Sequence, residues 1–219
     1  MRTEMAAEPG ASTRSGCGDD PLRRGWVQLL VTAAVVGSLF GALDLAGQVH
    51  TPYPYANLFN SPAVWAAVAF FIGRWATRVA RAAPCAVVGL VLGVESYYAA
   101  DVIFRGANTS NLWSSVAAAW FVLAVGAGLV FGAAGASSTH VRPWTAALAS
   151  ATLPAVVLAE AAHEATTSRE TTWMALLVVI AAIITAWLLR RADRATVGRT
   201  VLCIAGWTAL GFIASLPFG

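Results

Sequence analysis

Long uncharged apolar stretches divide this chain, and its basic residues gather in clusters between them or at their ends. A stretch of roughly 20 apolar residues can cross a hydrocarbon core of about 30 Å as a helix. Seven stretches qualify as candidate spans: Trp26 to Gly47, Pro62 to Arg81, Ala83 to Phe104, Leu112 to Gly135, Trp144 to His163, Trp173 to Leu189 and Gly198 to Leu216. Almost nothing is left for a soluble domain. The expected fold class is all-α, a polytopic transmembrane helical bundle with seven predicted spans over residues 26–219. Residues 1–25, rich in Gly, Ser, Pro and acidic side chains, are expected to form a disordered cytoplasmic tail.

All 14 basic residues are arginine. One side of the alternating connections would hold Arg2, Arg14, Arg23, Arg24, Arg74, Arg78, Arg81, Arg142, Arg190, Arg191, Arg194 and Arg199, and the other only Arg105 and Arg169. The positive-inside rule then puts the N-terminus in the cytoplasm and, with an odd number of spans, the C-terminus outside, in a multi-pass protein of the cell membrane. With 58% hydrophobic and 11% charged residues and a mean hydropathy of +0.67, the chain is too apolar for a soluble domain. Its net charge of +3 reflects arginines meeting anionic headgroups, so no nucleic-acid partner is expected. Cys17, Cys85 and Cys203 are far apart and suggest neither a disulfide framework nor a thiolate metal site. The first apolar segment exceeds the core length of a signal peptide and is expected to be a retained span.

Helix packing has its own signals. Gly37 and Gly41, Gly89 and Gly93, and Gly128 and Gly132 are G-x-x-x-G pairs, which let two backbones approach closely, here expected within one subunit. The segment Val36–Asp44 also echoes Val88–Glu95 in the spacing of its glycines. Ser61-Pro62 reads as an N-cap with proline at the first helical position. Pro154, in the middle of its span, predicts a kink. Arg74 is expected to snorkel toward the cytoplasmic interface.

Ionisable groups within the spans mark the chemistry. Asp44, Glu95, Asp101 and Glu160 fall in spans one, three and five; Glu95 lies near the midplane and the others about 10 Å outward of their span centres. A carboxylate at such depth costs at least about 2.5 kcal/mol on insertion scales, so it should face the bundle interior or a water-filled cavity. An acidic pocket in the outer half is therefore expected. In Glu95-Ser-Tyr-Tyr-Ala-Ala-Asp101 the residues Glu95, Tyr98 and Asp101 follow at i, i+3 steps. Glu160 and His163 share that spacing, which resembles half of a di-iron site, but no second Glu-x-x-His exists and no metal is expected. His50 and His140 fall in connections, and His163 at a helix end. Hydration or pairing with Arg105 and Arg169 is the plainer role for the outer acids. The proline- and tyrosine-rich loop His50–Pro62 suggests a lid over the outer pocket.

At Asn60-Ser-Pro-Ala-Val-Trp-Ala-Ala-Val-Ala-Phe-Phe-Ile-Gly-Arg74 and at Glu95–Asp101 the chain resembles a family of small actinobacterial multi-span membrane proteins of unknown function. In length, helix count and acid placement it also resembles the seven-helix integral-membrane cyclases of meroterpenoid (indole sesquiterpene) pathways. That likeness implies a membrane-embedded enzyme using a carboxylic acid for acid-catalysed cyclisation or isomerisation of a prenyl or lipid-like substrate, with no cofactor. Glu95 or Asp101 would be the acid, Asp44 or Glu160 would orient it or accept the final proton, and Tyr97, Tyr98 and Trp120 would shield positive charge with their ring faces. Two other classes compete. A small proton- or cation-coupled transporter would use the same carboxylates, although the repeat is parallel and all the acids lie on one side of the midplane. A structural protein of the cell envelope would need none of them. The oligomeric state is open.

Overall fold

A computed structural model describes residues 21–76, 78–139, 142–167, 171–190, 192 and 194–215. Arg2, Arg14, Cys17, His140, Arg169, Arg191 and most of the expected tail lie outside the described residues. The described chain is all-helical, and six of its helices are long and apolar enough to cross a membrane. In order these are α1 (Pro21–His50), then the shorter α2 (Pro62–Ala76), α3 (Val79–Arg105), α4 (Ser115–Ser137), α5 (Pro143–Thr166), α6 (Thr171–Leu189) and α7 (Arg194–Ser215). Single 3₁₀ turns, Tyr55–Asn60 and Thr109–Trp113, interrupt the loops before α2 and α4.

Two boundaries differ from expectation. Helix α1 already begins at Pro21, whose fixed φ suits a first helical position, ahead of the span start expected at Trp26. Helix α2 ends at Ala76 instead of Arg81, and Arg78 becomes the extended N-cap of α3 (φ −119°, ψ 127°). Pro84 lies inside α3 at an exposed position near the helix start. There the one hydrogen bond it forgoes, to the Ala80 carbonyl, is readily replaced. Pro154 is likewise accommodated within an unbroken α5, fully buried.

Glycine sets how closely the helices approach. A methyl at Gly37 would strike the Gly89 carbonyl, and one at Gly41 the Gly93 carbonyl, so α1 and α3 interlock at constant register and run parallel. The glycine echo in the sequence is this seam. The Ser96 hydroxyl crosses it to donate to the Ser38 carbonyl (2.8 Å). Gly128 and Gly132 seat α4 on Val87 and Ala86 of α3, and Gly73 of α2 meets the Gly132 carbonyl. All three pairs thus work within one subunit. Helices α5, α6 and α7 form a second group against α2 and α4, with α5 in the middle.

Apolar side chains face outward as well as inward. Val27, Val31, Val35, Leu39 and Leu43, one helical turn apart, are each more than half exposed along α1. A continuous exposed stripe of this kind is what lipid, not water, would cover. The basic end is pinned by arginine: the guanidiniums of Arg74 and Arg190 lie 5.2 and 5.3 Å from the Trp187 ring centroid, and Arg74 also donates to the Ser138 hydroxyl. Arg74 is therefore held between α4 and α6 rather than reaching freely outward.

Candidate ligand-binding cavity

The end of the bundle that carries the 51–61 loop encloses a cavity of about 230 Å³ between α1, α2, α3 and α4. Its walls include Asp44, Gln48, Asn60, Trp65, Tyr97, Tyr98, Asp101 and Trp120. Asp44, only 2% exposed, sits one turn before Gln48 on α1. Gln48 Nε2 donates to Asp44 Oδ2 (3.1 Å) and to the Phe59 carbonyl of the loop (3.0 Å), and Gln48 Oε1 accepts from the Tyr97 hydroxyl (3.2 Å). One amide therefore ties α1, α3 and the loop together. The Phe59 ring rests on Gly47, where a methyl would collide with it. The loop is thus tied to α1 beside the cavity, and its Asn60 forms part of the cavity wall.

Aromatic rings make up much of the rest. Trp65 and Trp120 lie 6.4 Å apart between centroids at 31°, Phe40 meets Trp65 edge-on at 5.0 Å, and Tyr97 meets Tyr98 edge-on at 5.4 Å. Asp44 Oδ1 is buried and has no hydrogen-bond partner among the described residues, although the carboxyl group as a whole is also engaged by the Trp65 side chain. A buried carboxylate oxygen without a donor is unfavourable, and its deficit is met either by a proton on the group or by a positive charge in the cavity. The aromatic faces around it attract cations. Asp101, at the same cavity, is already engaged by Arg105 one turn on (3.2 Å), a partly exposed pair of small energetic value.

Five of the seven residues singled out in the sequence, Asp44, Asp101, Tyr97, Tyr98 and Trp120, line this cavity; Glu95 and Glu160 do not. Glu95 is exposed on the outer face of α3. Successive i, i+3 steps drift by about 60° each on a helix of 3.6 residues per turn, so Glu95 and Asp101 point roughly 120° apart. Glu160 lies across α2 from the cavity and is a helix cap. Its Oε2 accepts from the Ala63 backbone N–H (3.1 Å) and the Ser61 hydroxyl (2.8 Å), placing negative charge on the N-terminus of α2. Ser61 holds the expected N-cap position, but the capping oxygen comes from α5. Gln48, Trp65, Val94 and Val116 are the cavity residues that sequence reasoning missed, and Asn60 entered it only as part of the His50–Pro62 loop; the Asp44–Gln48 spacing of four was the available signal for the first.

A second hollow of about 870 Å³ runs along α5 between α4 and α7, walled by residues such as Phe131, Leu148, Val156, Trp207 and Leu210. Glu160 and His163 stand at one end of it and Thr145 at the other. His163 Nδ1 is buried without a hydrogen-bond partner among the described residues. Among those residues no group of three or more His, Cys, Asp or Glu is placed to hold a metal ion.

No curated protein and no solved structure matches the chain. A family model does match, across residues 20–217 and so across every helix described above: the chain belongs to DUF6518, a family of unknown function.

Proposed function

We propose that this protein is a small multi-pass carrier of the cell membrane that exchanges a proton for a small organic cation at Asp44. In this reading α2 is the seventh span, the N-terminus is cytoplasmic and the cavity opens outward. The fifteen residues of α2 rise about 22 Å, short of a 30 Å core, and thinning of the bilayer around it would make up the difference. The observation that carries the reading is the buried Asp44 Oδ1, without a hydrogen-bond partner among the described residues, on a residue that lines an aromatic-walled cavity. An ammonium group supplies the charge and the N–H or C–H donors that this oxygen and these rings lack. With a cation bound the carboxylate is ionised; without one, a proton fills the same role, so the two compete for one site.

Cavity size chooses between ligand classes. At about 30 Å³ per water-sized group, 230 Å³ holds roughly eight non-hydrogen atoms. That suits a small alkylammonium ion and is tight for a prenylated aromatic. A second reading keeps one specific support, since Asp44 and Asp101 share the cavity with Tyr97, Tyr98 and Trp120. The same set would serve acid-catalysed isomerisation of a short prenyl unit, with Asp44 as proton donor and the rings shielding the carbocation.

Proteoliposomes separate the two. Under an imposed pH gradient, uptake of radiolabelled ammonium ions, from methylammonium to tetraethylammonium, should exceed that of liposomes bearing Asp44→Asn for at least one member. Uptake of every ion at the level of empty liposomes, together with an isomerised product from short prenyl alcohols, would replace the carrier with the enzyme.

A further inference from the structure

The hollow beside α5 lies outside the cation site, and its two ends differ in charge. Thr145 and His163 are eighteen positions apart on α5, so the hollow extends about 27 Å, close to the thickness of a hydrocarbon core. Its walls are apolar almost throughout, and α4 and α7 leave it open on the side facing away from α5. At the Thr145 end the Arg199 guanidinium lies 5.3 Å from the centroid of Trp144, the residue next to Thr145. Arg142, the N-cap of α5, and Arg194, the first residue of α7, belong to the same end. No carboxylate lines that end among the described residues; Glu160 lies at the opposite one. Trp144 and Arg199 do not line the hollow themselves, but they adjoin its Thr145 end, and an aromatic ring holding a guanidinium beside the end of an apolar groove is suited to a ligand with an anionic head and a hydrocarbon tail.

We infer that this groove is a specific binding site for one anionic phospholipid, its phosphate at Arg199 beside Trp144 and one acyl chain lying along α5 between α4 and α7. The inference takes the bilayer placement above as given and is independent of any cation at Asp44. Basic pockets between helices on the cytoplasmic side are known to favour anionic headgroups over zwitterionic ones. The apolar wall supplies what a free phosphate could not use. Glu160 and His163 sit too far from the head to contact it, and the carboxylate of Glu160 disfavours an anion entering from that end.

The test is native mass spectrometry of the full chain released from bilayers of equal phosphatidylglycerol and phosphatidylcholine. The native protein should retain one phosphatidylglycerol, about fivefold in preference to phosphatidylcholine. Arg199→Gln should abolish the preference, whereas Arg78→Gln, at an exposed arginine of the same end away from the groove, should keep it. Thr152→Phe, which fills the middle of the groove, should lose the retained lipid of either class. Equal retention of both lipids by the native chain would overturn the inference. So would equal losses from Arg199→Gln and Arg78→Gln, which would mean diffuse surface charge, or displacement of the lipid by millimolar inorganic phosphate, which would mean an anion site without a chain. Asp44→Asn should leave lipid retention unchanged, so a failure of the carrier reading does not decide this one.

Discussion

Two carboxylates, Asp44 buried and Glu160 half-buried, one in each half of the bundle, stand in opposite states. Glu160 reaches across from α5 and spends its Oε2 on the first turn of α2, joined by the Ser61 hydroxyl. Asp44 is held by Gln48 and neighboured by the Trp65 side chain, and its buried Oδ1 has no hydrogen-bond partner among the described residues, on a residue that lines a cavity walled by tryptophan and tyrosine. Depth in a span therefore says that a carboxylate needs a partner, and only the packing says whether the protein already provides it. Where the partner is a helix N-terminus the acid holds the fold together; where it is missing the acid is available to a ligand.

Four substitutions, with two controls, would break or sharpen that contrast. The largest effect is expected at the seam that positions Asp44. Gly37→Leu drives a side chain into the Gly89 backbone of α3, which cannot move aside as a side-chain tip would. Overpacking typically costs about 1 to 3 kcal/mol and more where backbone must shift, so this variant should lose its monodisperse folded peak in detergent. Gly126→Ala, which has open space around it, should keep that peak. Next, Asp44→Asn should weaken alkylammonium binding by about 100-fold, near the 3 kcal/mol upper end for a hydrogen bond to a charged group, with unfolding little changed. Isothermal titration and thermal unfolding of the same preparation check both halves of that statement.

Glu160→Ala should do the reverse. Loss of the cap should lower stability by about 1 to 2 kcal/mol, read as a shifted denaturation midpoint in detergent, with cation affinity within about twofold. If Glu160→Ala abolished binding and left stability intact, the division of labour between the two acids would be wrong. Smallest of all, Tyr97→Phe removes the hydroxyl that orients Gln48 and should weaken binding by roughly threefold to tenfold, the range of one hydrogen bond of about 0.5 to 1.5 kcal/mol. Glu95→Gln, outside the cavity, should leave cation affinity unchanged.

The sequence made the helices legible because apolar length and arginine clustering report directly on spans. It also made the glycine seam legible, since a parallel echo of G-x-x-x-G leaves little else for α1 and α3 to do but interlock. The end of α2 at Ala76 was not legible, because no glycine or proline stands between Arg74 and Arg81 to mark it. Asp44, Asp101, Tyr97, Tyr98 and Trp120 came from depth and aromatic neighbours, and they meet in one cavity. Glu95 lies outside that cavity for a geometric reason: a run of i, i+3 steps winds around the helix instead of keeping to a face. Glu160 lies outside it for a tertiary one, since its partners at Ser61 and Ala63 lie about a hundred residues earlier in the chain. Gln48 escaped notice because an uncharged amide near a span end carries little signal until both of its ends are seen in use.

The most direct test of the central claim is to count protons. Cation added to the purified protein in weakly buffered detergent should release close to one proton per cation bound, because both compete for the Asp44 carboxyl group, and Asp44→Asn should release none. Cation binding without proton release in the native protein, or undiminished release in Asp44→Asn, would contradict the account.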